Sequence, residues 1–230
     1  TGISNTIVGS AAGDALTDAD FNVAIGLGSL GADTLGSKSV AVGTACLQAQ
    51  NFTTATDTLN TAVGHNAGND VTTGVQNTLV GGLAGDALTT GGENIAIGVL
   101  ALSTEDTGRK NVAIGTQSLM VQDSDVDNYN TAVGYLSGRS VTTGVRNTLI
   151  GATAGYSLAD ADFNVAVGYG ALYTDDLGSK SVAIGVSALQ NQNYATATDS
   201  HNTAVGYAAG LSMTTGIRNT LIGGLSGDAI

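Results

Sequence analysis

The chain is patterned by a five-residue phrase in which polar, β-branched, small, β-branched and glycine positions follow one another. It reads Asn-Thr-Ala-Val-Gly or a close variant, and it recurs thirteen times. Its glycines are Gly9, Gly26, Gly43, Gly64, Gly81, Gly98, Gly115, Gly134, Gly151, Gly168, Gly185, Gly206 and Gly223, and they form a structural ladder. Most intervals are 17 residues, with 21 before Gly64 and Gly206 and 19 before Gly134. A unit this short cannot bury its own apolar side chains and must stack on its neighbours, which predicts a solenoid. Two β-branched residues separated by one position read as one face of a strand. A helix is excluded, because this spacing and the recurrent glycine break the 3.6-residue period. The fold class is therefore all-β, a parallel β-solenoid of thirteen coils of 17–21 residues.

Each coil can be numbered from its Asn, or from Ser39 and Ser181 where Ser replaces it. Position 2 is always β-branched, position 4 is Val or Ile, position 5 is Gly and position 8 is small. Position 3 is Ala in most coils and Ile7, Leu79, Leu149 or Leu221 in the others. We expect positions 2 and 4 to face the interior. Position 3 then faces outward, and an apolar outer face needs a second copy of the chain to cover it.

The coils are of two kinds. Where position 2 is Thr, position 9 is Gly and position 12 is large and apolar, as in Thr61, Gly68 and Val71. Where position 2 is Val or Ile, position 9 is Leu and position 12 is polar, as in Val23, Leu30 and Asp33. Each coil thus supplies one bulky filler to a thin core, from either of two places. The kinds alternate two by two. One solenoid domain over residues 1–230 is expected, with four-coil superrepeats 5–76, 77–146 and 147–218 and a partial one over 219–230. The repeat is cut at both ends, which reads as an excerpt of a longer chain. The long intervals run through Asn51 to Thr53, Asp123 to Tyr129 and Asn193 to Ala195, and extra residues in a solenoid go to surface bulges.

Asn130–Gly144, Asn202–Gly216 and the Ser-Val-Ala-Ile-Gly of residues 181–185 resemble the 17-residue repeats of phage and virus tail fibres. They are related in pattern to the YadA-like head of trimeric autotransporter adhesins. The resemblance covers nearly the whole chain. It implies a left-handed parallel β-roll, an intertwined or side-by-side homotrimer, and an extracellular place on a virion fibre or cell surface. The function it implies is a structural and adhesive segment used for attachment to a host cell, through a surface glycan or protein receptor. A β-solenoid that binds a glycan or ice is the alternative. For ice, a Thr row at position 2 would be the contact, but that row is interrupted every two coils and is expected to face inward.

Composition narrows the field. The net charge is −12, which argues against nucleic acid and anionic membranes. No apolar run is long enough for a membrane-spanning helix, so no membrane insertion is expected of this segment. Proline is absent, as suits a chain whose backbone N–H groups must donate between coils. No cofactor and no catalysis are expected. His65 and His201 stand apart from any nucleophile, and Cys46 occupies the small position 8, where it reads as a substitute for Ala. Asp123, Asp125 and Asp127 have the opening spacing of a calcium loop, without its glycine or its terminal Glu. Lys38, Lys110 and Lys180 recur at one place in each superrepeat and are expected to face acidic neighbours. The residues expected to contact a receptor are the aromatics of bulges and turns: Phe52, Tyr129, Tyr194, Tyr135 and Tyr207.

Overall fold

The structure is a computed structural model that describes residues 2–228; the ends of the expected domain at 1 and 229–230 lie outside them. The described residues contain no helix, and the coils stack as a parallel β-solenoid. Two compact units are present, one running to Asn111 with Asp123–Val126, the other Val112–Gln122 with Asp127 onward. The first unit carries β1 (Thr6–Val8), β2 (Val23–Ile25), β3 (Gly36–Ser37), β4 (Val40–Val42), β5 (Thr56–Asp57), β6 (Thr61–Val63), β7 (Thr78–Val80) and β8 (Ile95–Ile97). The second carries β9 (Val112–Ile114), β10 (Thr131–Val133), β11 (Thr148–Ile150), β12 (Val165–Val167), β13 (Gly178–Ser179), β14 (Val182–Ile184), β15 (Thr198–Asp199), β16 (Thr203–Val205) and β17 (Thr220–Ile222).

Each three-residue strand is positions 2 to 4 of a coil, and within each unit it pairs in register with the same positions of its neighbour. Thr131 lies against Thr148, Ala132 against Leu149 and Val133 against Ile150. The sheet order is β1-β2-β4-β6-β7-β8 in the first unit and β9-β10-β11-β12-β14-β16-β17 in the second. The short pairs β3–β5 and β13–β15 are parallel bridges that return the two 21-residue coils to the stack.

The facing of the strand is the reverse of the sequence expectation. Position 3 is the interior one: Ala24, Ala41, Ala62, Leu79, Ala132 and Leu149 are fully buried. Positions 2 and 4 point outward and are half-buried or exposed, Thr included. The reason is room. The interior of a 17-residue coil already holds position 8 and a position-9 or position-12 filler, and only Ala fits beside them in most coils.

The two kinds of coil are explained by this interior. A Cβ on Gly68 would meet Leu79 Cδ1 at 2.6 Å and Leu47 Cδ2 at 3.0 Å. A Cβ on Gly85 would meet Leu79 Cδ2 at 2.8 Å. One Leu at position 3 therefore fills the space over two neighbouring glycines, and Leu149 does the same for Gly138 and Gly155. In the other kind, Leu30, Leu119 and Leu172 take position 9 themselves with φ of 49°, 47° and 49°. A left-handed non-glycine residue costs about 1 kcal/mol, and complete burial of the Leu side chain offsets it.

The position-1 Asn carries the stack. Asn147 N–H donates to Asn130 Oδ1 at 2.8 Å, and Asn164 N–H to Asn147 Oδ1 at 2.9 Å. The Nδ2 groups donate to the carbonyl fourteen residues on, as from Asn130 to Gly144 at 2.7 Å and from Asn147 to Ala161 at 2.7 Å. The ladder is thus amide to backbone. Where Ser181 replaces Asn, a glutamine from position 12 bridges the gap: Gln192 Nε2 donates to Ser181 Oγ at 2.9 Å, and Gln192 Oε1 accepts from Asn202 at 2.8 Å. Gln50 does the same between Ser39 and Asn60.

Candidate binding surface

The outward sheet face presents two rows of β-branched side chains in each unit, from positions 2 and 4. Position 4 is never polar, and Ile25, Val63, Ile97, Ile150 and Ile184 remain exposed on it. Row 6 borders the face on one side, and the last residue of each coil borders it on the other. In the second unit that last row reads Tyr129, Arg146, Phe163, Lys180, His201, Arg218. The Arg146 guanidinium lies 5.8 Å from the Tyr129 ring and 5.4 Å from the Phe163 ring, so it is sandwiched between them. A further row stacks Arg139 on Tyr156 at 5.9 Å and Tyr156 on Tyr173 at 5.1 Å.

The expected receptor residues separate into two groups. Tyr129, Tyr135 and Tyr207 are exposed. Phe52 and Tyr194 are not, at 7% and 5% exposure, and the expectation that they form surface contacts is corrected. The bulges fold their aromatics back as plugs. Tyr194 Oη donates to the Gly216 carbonyl at 2.6 Å and accepts from Asn202 at 3.0 Å, while the Phe52 N–H donates to Asp33 Oδ1 at 3.2 Å.

The three calcium candidates do not converge into one ligand group among the described residues. Asp125 accepts from Thr107 at 3.0 Å, and Asp127 accepts from the Tyr129 hydroxyl at 3.2 Å. Asp123 instead joins Glu105 and Asp106, with ligand oxygens within 4.8 Å of one another. Glu105 is fully buried and takes the Gly108 N–H at 2.7 Å. Cys46 is buried, its thiol pushed up by desolvation and donating to the Gly64 carbonyl at 2.6 Å, which suits an inert filler. His65 and His201 are exposed. Lys38 pairs with Asp57 at 2.5 Å and Lys180 with Asp199, as the charge pattern led us to expect. Both pairs are exposed and contribute little to stability. Hydrogen bonding to Lys180 nevertheless lowers the Asp199 pKa. A cavity of about 270 Å³ lined by Met213, Thr214, Thr215, Gly216 and Asn219 holds no titratable side chain.

Sequence reading overlooked the buried carboxylates at position 12. Asp33 and Asp175 are fully buried, and each accepts from the glutamine one coil on, Gln50 at 2.5 Å and Gln192 at 2.6 Å. The signal was present: position 12 of each Leu-type pair reads Asp or Glu, then Gln. Burial, with a smaller contribution from Asp176, raises the Asp175 pKa to about 6, against the lowering effect of Gln192 and the Gly178 N–H. Tyr194 is the other titratable group facing it.

The folded pKa lies above the ordinary value of 3.8, so between these two the folded state holds more protons than the unfolded one. Stability from this group is therefore greatest in acid and is lost as pH rises through about 6. Chemical denaturation should show a chain less stable at pH 7.5 than at pH 5, by about 1.4 kcal/mol, the part of the shift that lies between pH 5 and the folded pKa. Asp175→Asn should flatten that slope whatever its absolute stability. An unchanged slope would mean that Asp175 ionises normally.

Comparison with known proteins adds no identity: no family model, no curated protein and no solved structure matches the chain. What fold and surface define is a class, a parallel β-solenoid repeat protein with an uncovered β-branched face.

Proposed function

We propose that this chain is a non-catalytic structural and adhesive segment of an extracellular homotrimeric fibre, wound as a left-handed β-roll and used for attachment to a host cell or surface. The observation that carries the reading is the outward face of positions 2 and 4, apolar or Thr in every coil and half-exposed. Large contiguous apolar patches mark interaction sites in soluble proteins. An identical chain is the occupant that fits, because the same two rows recur coil after coil and can meet their own copies in register. Resemblance to tail-fibre repeats supplies the number three and the attachment role. The interior contains small residues, fillers and amide ladders, which suits a rigid spacer.

Light scattering on the purified chain should give about three times 22.6 kDa. The double variant Val133→Glu, Val167→Glu should give the single mass with its β circular dichroism retained, since both side chains point outward and only the assembly buries them. A wild-type chain that stays monomeric and soluble at high concentration would sink the proposal. The ice alternative gains Thr side chains that face outward after all, yet Val or Ile interrupts the row at β2, β4, β8, β9, β12 and β14.

A further inference from the structure

Three tyrosines of the second unit stand at one coil position. Tyr135, Tyr169 and Tyr207 each follow the repeat glycine, at position 6, and are 56%, 62% and 65% exposed. Small or aliphatic residues separate them, Ala152 in one intervening coil and Val186 in the other. Their spacing is fixed by the sheet. Val133 pairs with Ile150 and Ile150 with Val167, so Tyr135 and Tyr169 follow strands two apart. Val167 pairs with Ile184 and Ile184 with Val205, which places Tyr207 two strands further. At about 4.8 Å per strand, positions two strands apart recur every ~10 Å along the row.

The other aromatics of this unit that reach the surface are already engaged: the exposed Tyr129 and Phe163 flank Arg146, and the half-buried Tyr156 stacks on the half-buried Tyr173. The tyrosines of row 6 have no ring, cation or side-chain hydrogen-bond partner among the described residues. No charged residue stands in their row. The equivalent row of the first unit reads Ser10, Leu27, Thr44, His65, Gly82, Val99, without a tyrosine.

We propose that Tyr135, Tyr169 and Tyr207 form a linear binding site for a neutral, extended β-1,4-linked polysaccharide. The argument is one of period. In an extended β-1,4-linked chain of glucopyranosyl units, successive sugars are turned over, so the same C–H face recurs every second sugar. That two-sugar repeat is about the length of two solenoid coils. A chain lying along the row sets every second sugar on a tyrosine, with the intervening sugars over Ala152 and Val186. Aromatic rings recognise sugars through such apolar faces, and a neutral glycan avoids the charge cost that an acidic one meets on a chain of net charge −12. Three weak contacts on one rigid support add through avidity. This inference goes beyond the fibre proposal and does not depend on it.

The test uses the full chain, with cellohexaose and chitohexaose as probes and maltohexaose, whose α-1,4 linkage curls the chain, as control. Calorimetry should show binding to one or both β-1,4 hexamers, weaker binding to their disaccharides and none to maltohexaose. Removing each ring as Tyr→Ser should weaken binding about five- to tenfold, and the triple variant should abolish it. The decisive variant is Tyr169→Val with Val186→Tyr, which keeps composition and moves one ring by one coil. It should bind no better than Tyr169→Ser. The proposal is overturned if neither β-1,4 hexamer binds, if the triple variant binds like wild type, or if moving the ring changes nothing. It is also overturned if the triple variant alters the light-scattering mass and not the glycan affinity, because the row would then be a contact between copies.

Discussion

Gly134→Ala should unfold the second unit under conditions where Gly170→Ala leaves it folded. A Cβ on Gly134 would sit 2.5 Å from the Gly151 carbonyl oxygen, 2.6 Å from its carbon and 2.9 Å from the Ala152 nitrogen. All three atoms belong to the backbone of the next coil, so relief requires β10 and β11 to part. The φ of +140° adds strain that only glycine escapes. Such a backbone conformation costs on the order of 1–3 kcal/mol before the clash is counted. Gly170 has φ of +64° and nothing within 4 Å of its added Cβ, so its cost is about 1 kcal/mol. Denaturant midpoints of the two variants should differ widely. Equal midpoints would show that the coils are not packed this closely at the repeat glycine.

A second large effect separates the two faces of one strand. Ala132→Glu places a carboxylate where exposure is zero, among the fillers of its own chain. An unpaired buried charge costs several kcal/mol, a large share of the stability of an ordinary domain. Loss of β circular dichroism is expected, not loss of assembly alone. Val133→Glu, one residue away and outward, should keep the circular dichroism. The opposite pattern, a folded monomeric Ala132→Glu, would return position 3 to the surface.

The architecture was legible because its determinants are periodic. The glycine ladder, the Asn at position 1 and the exchange of fillers between positions 9 and 12 each name a fixed place in a coil, and the structure keeps them there. Facing was not legible. Val-Ala-Val has apolar residues on both sides, so alternation alone fixes no inside; the volume left by position 8 and the fillers decides it. Bulge aromatics misled for a related reason. Phe52 and Tyr194 lie in segments that escape the period, but their partners, Asp33, Asn202 and Gly216, come from other coils and cannot be read from local spacing. Tyr169 shares position 6 with Tyr135 and Tyr207, and the structure adds it to them as a third exposed ring. Its row becomes visible only when coils are stacked.

The sharing of Leu79 between Gly68 and Gly85, and of Leu149 between Gly138 and Gly155, bears on how such a chain can change length. Removing one coil would set a leucine against a leucine or a glycine against empty space, and each mismatch leaves a cavity or an overlap in a core one side chain wide. Unequal recombination between copies therefore preserves packing only when it adds or removes all four coils together. Growth of this lineage is expected in steps of that size, and an insertion of any other length should fall in the connections outside the stack.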